Sequence, residues 1–314
     1  EGKEVFSLHD TYGFPFDLTK LMAKEKNLKI DEDEYQKFMK KAREASRKNI
    51  QSNNLSKFNA NDLNALEKIG ITKTNDSFKE TDGVKKNQLL KAIWHDNQWR
   101  NDIKEKDKGI LIFDYTNFYS ESGGQVGDTG EIYCSDNTIF KVIDTQKVGN
   151  YVMHEGFVQQ GAISINKKYN LMPNKERRNK IRKHHTATHL LNYALKRTLG
   201  SHIQQKGSLV DNDKLRFDFS HNEPLNLKQL QEIEKIVLEV IKINLNVNEK
   251  IIPLNAATSI NGIRAIFGER YPDNVRVISI GPDIDQLISN PKNKDWINFS
   301  TELCGGSHVQ ETLS

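Results

Sequence analysis

Residues 185–200 read His185-Thr-Ala-Thr-His-Leu-Leu-Asn-Tyr-Ala-Leu-Lys-Arg-Thr-Leu-Gly200. Apolar side chains recur there at the spacing of one helix face, at Leu190, Leu191, Ala194 and Leu195. Gly200 suits the end of a helix. Because residues four apart lie on one face of a helix, His185 and His189 present two imidazoles to one point. The stretch therefore predicts a helix over 185–199 that packs on a core and carries two candidate metal ligands.

A second pair of candidate ligands stands far downstream, in Cys304-Gly-Gly-Ser-His308. The two glycines between these ligands permit a tight turn. Thiolate and imidazole suit a divalent first-row metal, above all Zn²⁺, and four such ligands complete a tetrahedral shell. A His-x-x-x-His pair alone is more often two ordinary histidines, and the second pair is what makes a metal site the favoured interpretation.

The 314-residue chain is 36% hydrophobic and 28% charged. Its length allows two or three domains that each bury a core. No apolar run approaches the ~20 residues that span a bilayer, so we expect no membrane partner. Two cysteines cannot form a disulfide framework, which points to a reducing compartment. The cytoplasm is therefore the expected location, with an organelle as the open alternative.

The net charge is only +4, but basic residues are concentrated just before His185. The run comprises Lys167, Lys168, Lys175, Arg177, Arg178, Lys180, Arg182 and Lys183, and Glu176 opposes it. A basic stretch beside a metal site favours a polyanionic substrate, with nucleic acid as the leading candidate. The alternative is a solvated, lysine-rich face that binds nothing.

The chain before residue 84 contains a helical pattern followed by a connection. Asp10-Thr-Tyr-Gly-Phe-Pro15 is a turn-forming entry to a helical pattern from Asp17 to Asn49. Residues 51–83 read as a loosely packed connection with a short helical piece around Leu63–Ile69.

From Thr81 to Asn166 the pattern changes to short strands that together indicate a small β-barrel. The strands are predicted at Ile110–Asp114, Gly130–Cys134, Thr138–Ile143 and Tyr151–His154. Between them lies Phe118-Tyr-Ser-Glu-Ser-Gly-Gly-Gln-Val-Gly-Asp128. Gly123 and Gly124 permit positive φ and let backbone amides approach a phosphate or sugar, although glycine pairs are more often plain turns.

After Pro173 long helices alternate with separated strands. We expect strands within Ser208–Phe219, a helix over Asn226–Asn246 and a strand at Val275–Ile280. This order favours an α+β domain over a parallel, doubly wound sheet.

Five ordered motifs resemble the alanyl-tRNA synthetase family, from the end of its tRNA-recognition region through its editing domain. They are Asp10–Pro15 with Asp17-Leu-Thr19, the glycine motif Phe118–Gly130, His185–Leu191 with Gln204–Val210, Phe267–Tyr271 with Val275–Gly281, and Cys304–Val309. The resemblance covers nearly the whole chain and implies an α+β fold with three parts. These are a helical segment at 1–80, a β-barrel subdomain at 81–168 and an editing core with a zinc site at 169–314. The chain lacks a start methionine, so we expect a piece of a longer ATP-dependent ligase. Its aminoacylation domain, with ATP and Mg²⁺, would lie elsewhere.

The resemblance implies hydrolysis of tRNA(Ala) mischarged with serine or glycine, and no DNA partner. It assigns one Zn²⁺ to His185, His189, Cys304 and His308, and editing-pocket roles to Thr188 and Gln205. It also makes the basic run and the glycine motif candidate tRNA contacts, at Arg177, Arg178, Arg182, Lys183, Gly123 and Gly124. Since four protein ligands are typical of a structural zinc site, the ion either activates water or orients the substrate, and the sequence leaves both open.

Three alternatives stay open at this stage. The editing domain of threonyl-tRNA synthetases shares a similar ligand framework, and free-standing alanyl-tRNA editing proteins are close as well. The segment Asp10–Thr19 favours the intact synthetase over both. The third alternative belongs to a different class of function, a zinc-stabilised tRNA-binding module without catalytic activity.

Overall fold

The computed structural model describes residues 2–10, 16–26, 28–39, 58, 60–68, 70–77, 79, 81–265 and 270–314. Residues 11–15 of the Asp10–Pro15 motif and residues 266–269, which include most of the Phe267–Tyr271 motif, lie outside the described residues. So does the predicted helical pattern at 40–49. The chain divides into two compact units, Glu1–Asp62 and Leu63–Ser314. The finer boundaries at 80/81 and 168/169 remain proposals.

The first unit contains α1 (Gly2–Asp10), α2 (Phe16–Glu25) and α3 (residues 32–39). The aromatic rings of Phe16 and Tyr35 stack with centroids 4.2 Å apart, and those of Phe6 and Phe38 are 5.7 Å apart. Within the described residues the predicted helical run contains two helices, α2 and α3, and residues 28–31 before α3 are not helical.

Helix α4 (Ala60–Lys68) contains the boundary at Leu63, and nine strands follow it in the second unit. These are β1 (Lys85–His95), β2 (Gln98–Arg100), β3 (Asp102–Lys104), β4 (Lys108–Phe113), β5 (Gly130–Tyr133), β6 (Ile139–Val148), β7 (Tyr151–Gln160), β8 (Ala162–Ser164) and β9 (Lys168–Pro173). The order β1-β4-β7-β6-β5-β9 closes on itself through a β1–β9 pairing. The predicted small barrel is thus confirmed as six antiparallel strands, with β2 beside β1 and a separate β3–β8 ribbon.

The barrel interior is filled by large apolar side chains, which include Leu90, Leu111, Phe113, Phe118, Phe140 and Tyr169. They alternate with outward residues along their strands, as a closed barrel requires. The imidazole of His154 is buried among them, edge-on to the rings of Phe113 and Phe118.

After the barrel the chain forms a mixed α+β part, as predicted. Its elements are α5 (Lys175–Leu199), β10 (Gln205–Val210), β11 (Leu215–Phe219), α6 (Leu227–Ile243), β12 (Val247–Pro253), α7 (Leu254–Ser259), β13 (Asn274–Ile280), α8 (Ile284–Ser289), a 3₁₀ helix (Lys294–Asn298) and β14 (Ser300–Leu303). Strands β10 and β11 form a hairpin, and β12, β13 and β14 form an antiparallel sheet. Helix α5 packs on α6 through a cluster that includes Tyr193, Ala194 and Ile233.

Helix α5 starts ten residues before the predicted position. The side chain of Asn174 caps it by accepting a hydrogen bond from the backbone N–H of Arg177, and Gly200 ends it with φ of 110°. The basic residues from Lys175 to Lys183 therefore lie in the first turns of the helix, where the apolar periodicity that predicted its start is missing. Among the described residues no helix is long and apolar enough to cross a membrane.

Candidate metal centre

Helix α5 and the loop after β14 bring the four predicted ligands together. His185 and His189 lie one turn apart on the buried face of α5, and Cys304 and His308 lie in the loop. One nitrogen or sulfur atom of each lies within 4.8 Å of those of the other three. The Cys304 Sγ to His185 Nε2 distance is 3.4 Å. Two such ligands on a tetrahedral zinc ion lie about 3.5 Å apart, so this pair matches the expected spacing.

The loop Cys304–His308 takes its shape from Gly306 and Arg276. A Cβ atom on Gly306 would lie 1.9 Å from His185 Cε1, so a side chain cannot be accommodated at that position. The guanidinium of Arg276 donates from Nη1 to the carbonyl oxygens of Cys304 (3.3 Å) and Gly306 (2.5 Å). The Gly306 N–H donates to Cys304 Sγ at 3.3 Å. Gly306 lets the loop pass against the His185 imidazole, and Arg276 holds the loop there.

The Nδ1 atoms of the three histidines face groups outside the ligand set. His185 Nδ1 lies 2.6 Å from Gln125 Oε1, and His308 Nδ1 lies 3.2 Å from Thr186 Oγ1. His189 Nδ1 is 3.5 Å from Glu302 Oε2, which is too long for a good hydrogen bond and leaves this nitrogen without a partner among the described residues. The buried Nε2 of His308 also has no hydrogen-bond partner there. A hydrogen-bond partner on the second ring nitrogen, which His185 and His308 have here, is typical of metal-binding histidines.

Burial keeps these imidazoles neutral, which is the metal-binding form. Removal from water, with neighbouring positive charge, holds the pKa values of His185 and His308 well below the usual range. Burial, followed by the charges of Arg264 and Arg276, lowers the pKa of His189 to about 3. Three neutral imidazoles, a thiol and the buried His308 Nε2 without a hydrogen-bond partner among the described residues fit a zinc ion.

The centre lies on the wall of a cleft of about 710 Å³. The ligands His185, His189 and Cys304 line the cleft. Most other lining side chains are polar or charged, among them Thr188, Asn192, Lys196, Gln205, Arg264 and Arg276. The cleft therefore combines the ligand set with hydrogen-bonding groups and positive charge, a combination that suits an anionic, polar ligand.

Thr188 and Gln205, for which the resemblance implies editing roles, both line this cleft. Thr188 lies three residues after His185 on α5. Its hydroxyl donates a hydrogen bond to the carbonyl oxygen of His184 at 2.8 Å. Gln205 begins β10, and its Nε2 donates to Ser208 Oγ at 3.3 Å. The structure thus brings both side chains beside the ligand set.

The glycine motif also reaches the cleft, through Gly123. Gly123 and Gly124 have φ of 60° and 84°, and Ser122 and Gln125 exchange backbone hydrogen bonds of 3.1 and 3.0 Å. Positive φ at both central residues is the signature of a type I′ turn, which glycine favours. A Cβ on Gly124 would lie 2.3 Å from Ser208 Oγ, whereas a Cβ on Gly123 would meet nothing within 4 Å. The turn explains both glycines, and only Gly123 has open space beside it.

The four basic candidates differ in their surroundings. Arg178 is 2% exposed and pairs with Asp128, and it donates to the carbonyl oxygens of Asn117 and Thr81. Its burial argues against direct contact with RNA. Arg177 is half-buried against Asn212 and Gly127.

Arg182 has 14% of its side chain exposed and pairs with Asp82 at 2.9 Å. Lys183 is exposed. Of the four basic candidates, Lys183 therefore has the freest access to a phosphate.

Two buried groups at the centre were not predicted from the sequence. Gln125 reaches His185 from the barrel, 60 positions away. Glu302 accepts from Asn192 Nδ2 at 2.9 Å and faces Arg264 at 3.7 Å, and burial raises its pKa to about 6. The Gln of the Gly-Gly-Gln sequence and the Glu two positions before Cys304 were visible, but neither spacing indicates a contact across the fold.

Comparison with known proteins identifies the family of this chain. A family described as tRNA synthetases class II (A) matches residues 1–177. The mitochondrial alanine–tRNA ligase of Saccharomyces cerevisiae is 44% identical over 99% of the chain, which covers 32% of that protein. The alanine–tRNA ligases of Candida albicans and Dichelobacter nodosus are 42% and 39% identical, again over 99% of the chain and 32% of each relative.

The chain thus spans about a third of the length of the curated relatives it matches. The relatives include a mitochondrial enzyme and, in Dictyostelium discoideum, a cytoplasmic one. The family match over more than half of the chain and the ligase relatives agree with each other. The chain therefore belongs to the class II tRNA synthetases (A) and, among them, to the alanyl-tRNA synthetases.

Proposed function

We propose that this chain is the editing part of an alanyl-tRNA synthetase and hydrolyses the ester bond of Ser-tRNA(Ala) and Gly-tRNA(Ala). The observation that carries the proposal is the cleft in which four ligand atoms converge within 4.8 Å beside Thr188 and Gln205. The activity of the whole ligase, with ATP and Mg²⁺, would require parts of the relatives that this chain does not match.

The need for such a site follows from the limits of discrimination in a small pocket. A pocket for alanine cannot strongly exclude glycine, which lacks only a methyl group, and it rejects serine poorly. A methylene-sized difference is worth ~1–3 kcal/mol, which is less than accurate translation requires. Hydrolysis in a second site that admits the wrong amino acids supplies the remaining accuracy.

Zinc held by His185, His189, Cys304 and His308 would supply a Lewis acid that polarises the ester or lowers the pKa of a water molecule. The remaining steps belong to side chains of the cleft. The hydroxyl hydrogen of Thr188 is used by the His184 carbonyl, so its oxygen is left as an acceptor. It can therefore accept from the hydroxyl or ammonium group of a seryl ester.

Gln205 uses one amide hydrogen toward Ser208, which leaves its carbonyl oxygen and second hydrogen to orient water or the substrate. Neither Gln205 nor Thr188 ionises near neutral pH, so neither acts as a conventional general base. Their proposed role is to position the groups that react. Lys196, Arg264 and Arg276 add positive charge for the terminal nucleotide.

We propose that the tRNA acceptor end approaches across the start of α5, where Lys183 is exposed and Arg177 and Arg182 are partly exposed. Gly123 has the free space for a backbone approach by the same ligand. We retain the cytoplasm as the proposed compartment, with mitochondria as the alternative because one relative is mitochondrial.

A zinc-stabilised tRNA-binding module without catalysis is the second candidate. The observation that favours it is the number of ligands, since four protein ligands are typical of closed structural zinc sites. The two candidates differ in one measurable respect, which is turnover of the aminoacyl ester.

The experiment that tests the proposal is deacylation by the zinc-loaded protein, with Ser-tRNA(Ala), Gly-tRNA(Ala) and Ala-tRNA(Ala) as parallel substrates. Loss of the seryl and glycyl esters, with the alanyl ester spared, is the expected result. Tight binding of tRNA without loss of any ester would leave the binding module.

A further inference from the structure

The barrel contributes one buried side chain, Gln125, to the metal centre. Gln125 ends the type I′ turn of the glycine motif and is 1% exposed. Its amide lies between His185, on helix α5, and Ser307, in the loop between the other two ligands. It is therefore the point at which three separate segments of the chain meet.

The hydrogen bonds of Gln125 define which way its amide points. The backbone N–H of Ser307 can only donate, and it lies 2.9 Å from one terminal atom of Gln125, so that atom is the oxygen Oε1. The other terminal atom, Nε2, then donates to Ser307 Oγ at 2.8 Å. The hydrogen-bond partners therefore determine which terminal atom of Gln125 is the oxygen and which is the nitrogen.

The orientation of the amide determines the tautomer of His185. Oε1 is an acceptor and lies 2.6 Å from His185 Nδ1, so Nδ1 must carry the hydrogen. In the neutral imidazole the lone pair is then on Nε2, which lies 3.4 Å from Cys304 Sγ and faces the centre. The amide thus presents the ligand nitrogen of His185 in the form that binds a metal.

The turn that carries Gln125 is itself fixed on both sides. Ser122 and Gln125 exchange two backbone hydrogen bonds, and the Val126 N–H donates to the carbonyl of Val210 at 3.1 Å. The Val210 N–H donates to the carbonyl of Gly124 at 2.8 Å. Strand β10 therefore holds the turn, and the Gln125 amide has few alternative positions.

We infer that Gln125 is a positioning residue for the metal centre: it holds His185 in the Nδ1–H tautomer and ties the Cys304–His308 loop to the barrel. The inference rests on the proposed metal site. It makes the glycine motif a structural part of that site, so that the barrel and the α+β part build the centre together. An acceptor behind a metal-binding histidine is worth ~10–100-fold in metal affinity.

The test compares Gln125→Leu, which removes both polar atoms, with Gln125→Glu, which keeps acceptors for His185 and Ser307. Gln146→Leu is the matched control, because Gln146 is another barrel glutamine whose Nε2 donates to Glu121 and Asp144 and not to a residue of the ligand set. Zn²⁺ affinity is measured by competition with a chromophoric chelator. The absorption bands of bound Co²⁺ report the geometry of the ligands, and circular dichroism reports folding.

We expect Gln125→Leu to weaken Zn²⁺ binding ~10–100-fold and to alter the Co²⁺ bands, while Gln125→Glu and Gln146→Leu stay near the parent protein. Folded Gln125→Leu with parent affinity and spectrum would overturn the inference and leave the metal site standing. If Gln125→Leu does not fold, Gln125→Glu decides, since a folded protein with strongly weakened binding would contradict the acceptor role. A parent protein that binds neither ion would overturn the metal site and the inference together.

Discussion

Arg178 and Asp128 form an ion pair in which both side chains are almost fully buried, at 2% and 3% exposure. The pair joins the first turns of α5 to the end of the glycine motif. Asp128 also accepts from the backbone N–H of Tyr119 at 2.7 Å, and Arg178 donates to the Asn117 carbonyl at 2.6 Å. The hydrogen bonds compensate for the desolvation of both charges, and the pair fixes α5 relative to the barrel loop that carries Gln125.

Substitution Arg178→Met is therefore expected to destabilise the protein by ~3–5 kcal/mol, because it leaves the Asp128 carboxylate buried without its partner. Urea unfolding monitored by circular dichroism measures the change. Lys180→Met is the control, since Lys180 is exposed on the same helix and pairs with exposed Glu176. A loss at Arg178 as small as that at Lys180 would contradict the structural role.

Cys304→Ala is expected to lower the zinc content well below one ion per chain and to abolish deacylation, because it removes one of four ligands. Elemental analysis and the deacylation assay measure the two effects. Cys134→Ala is the matched control, since Cys134 is the other cysteine and is half-buried in the barrel, away from the ligand set. Full zinc content in Cys304→Ala would remove this thiol from the site.

Charge reversal at Arg177, Arg182 and Lys183 is expected to weaken tRNA binding and to reduce its salt dependence. Each lost phosphate contact lowers the slope of log K against log salt by about 1. Binding isotherms at several salt concentrations measure the slope. The control is Lys104→Glu, an exposed lysine on the β3–β8 ribbon. An unchanged slope would return the basic run to a solvated face.

The buried His154 predicts a loss of stability in acid. Burial lowers its pKa to about 4, and its Nδ1 and Nε2 are bonded to the Leu111 carbonyl (3.0 Å) and the Thr116 hydroxyl (2.8 Å). The unfolded chain takes up a proton near pH 6.5 and the folded one does not, so stability falls as the pH drops from about 6.5 to about 4. At pH 5 the contribution is about 2 kcal/mol.

Urea midpoints at pH 7 and pH 5, in zinc-saturated buffer, measure this effect against His154→Gln. The variant is expected to be less stable at pH 7 but to lose less stability on acidification. Parallel pH dependence in the two proteins would show that another group carries the effect.

Much of the architecture was readable from local patterns. The strand Val275–Ile280 and the helix from Asn226 matched β13 and α6 closely because apolar periodicity and capping residues act over a few positions. The sequence does not predict strand β1, because its first residues, Lys85–Gln88, are all polar. The alternation of apolar and polar side chains that marks a barrel strand is therefore hard to recognise there. The predicted start of α5 is too far along the chain, because the buried side chain in the first turn is Arg178 and not an apolar residue.

The sequence predicts which residues could bind a metal at the candidate site, but not how the folded chain arranges the groups around them. The spacing of His185 and His189 on one helix indicated two ligands, and the second pair supplied the rest. The contacts of Gln125 and Glu302 depend on chain segments that meet only in the folded protein. Such contacts have no periodicity, so nothing in a single sequence marks them.

The most direct measurement is the first-order loss of the seryl ester from Ser-tRNA(Ala) with the zinc-loaded protein, beside Ala-tRNA(Ala) under the same conditions. The account predicts rapid loss of serine, survival of alanine, and no loss above the spontaneous rate with Cys304→Ala. Spontaneous rates for both esters, in a protein shown to contain zinc and to bind the tRNA, would contradict it.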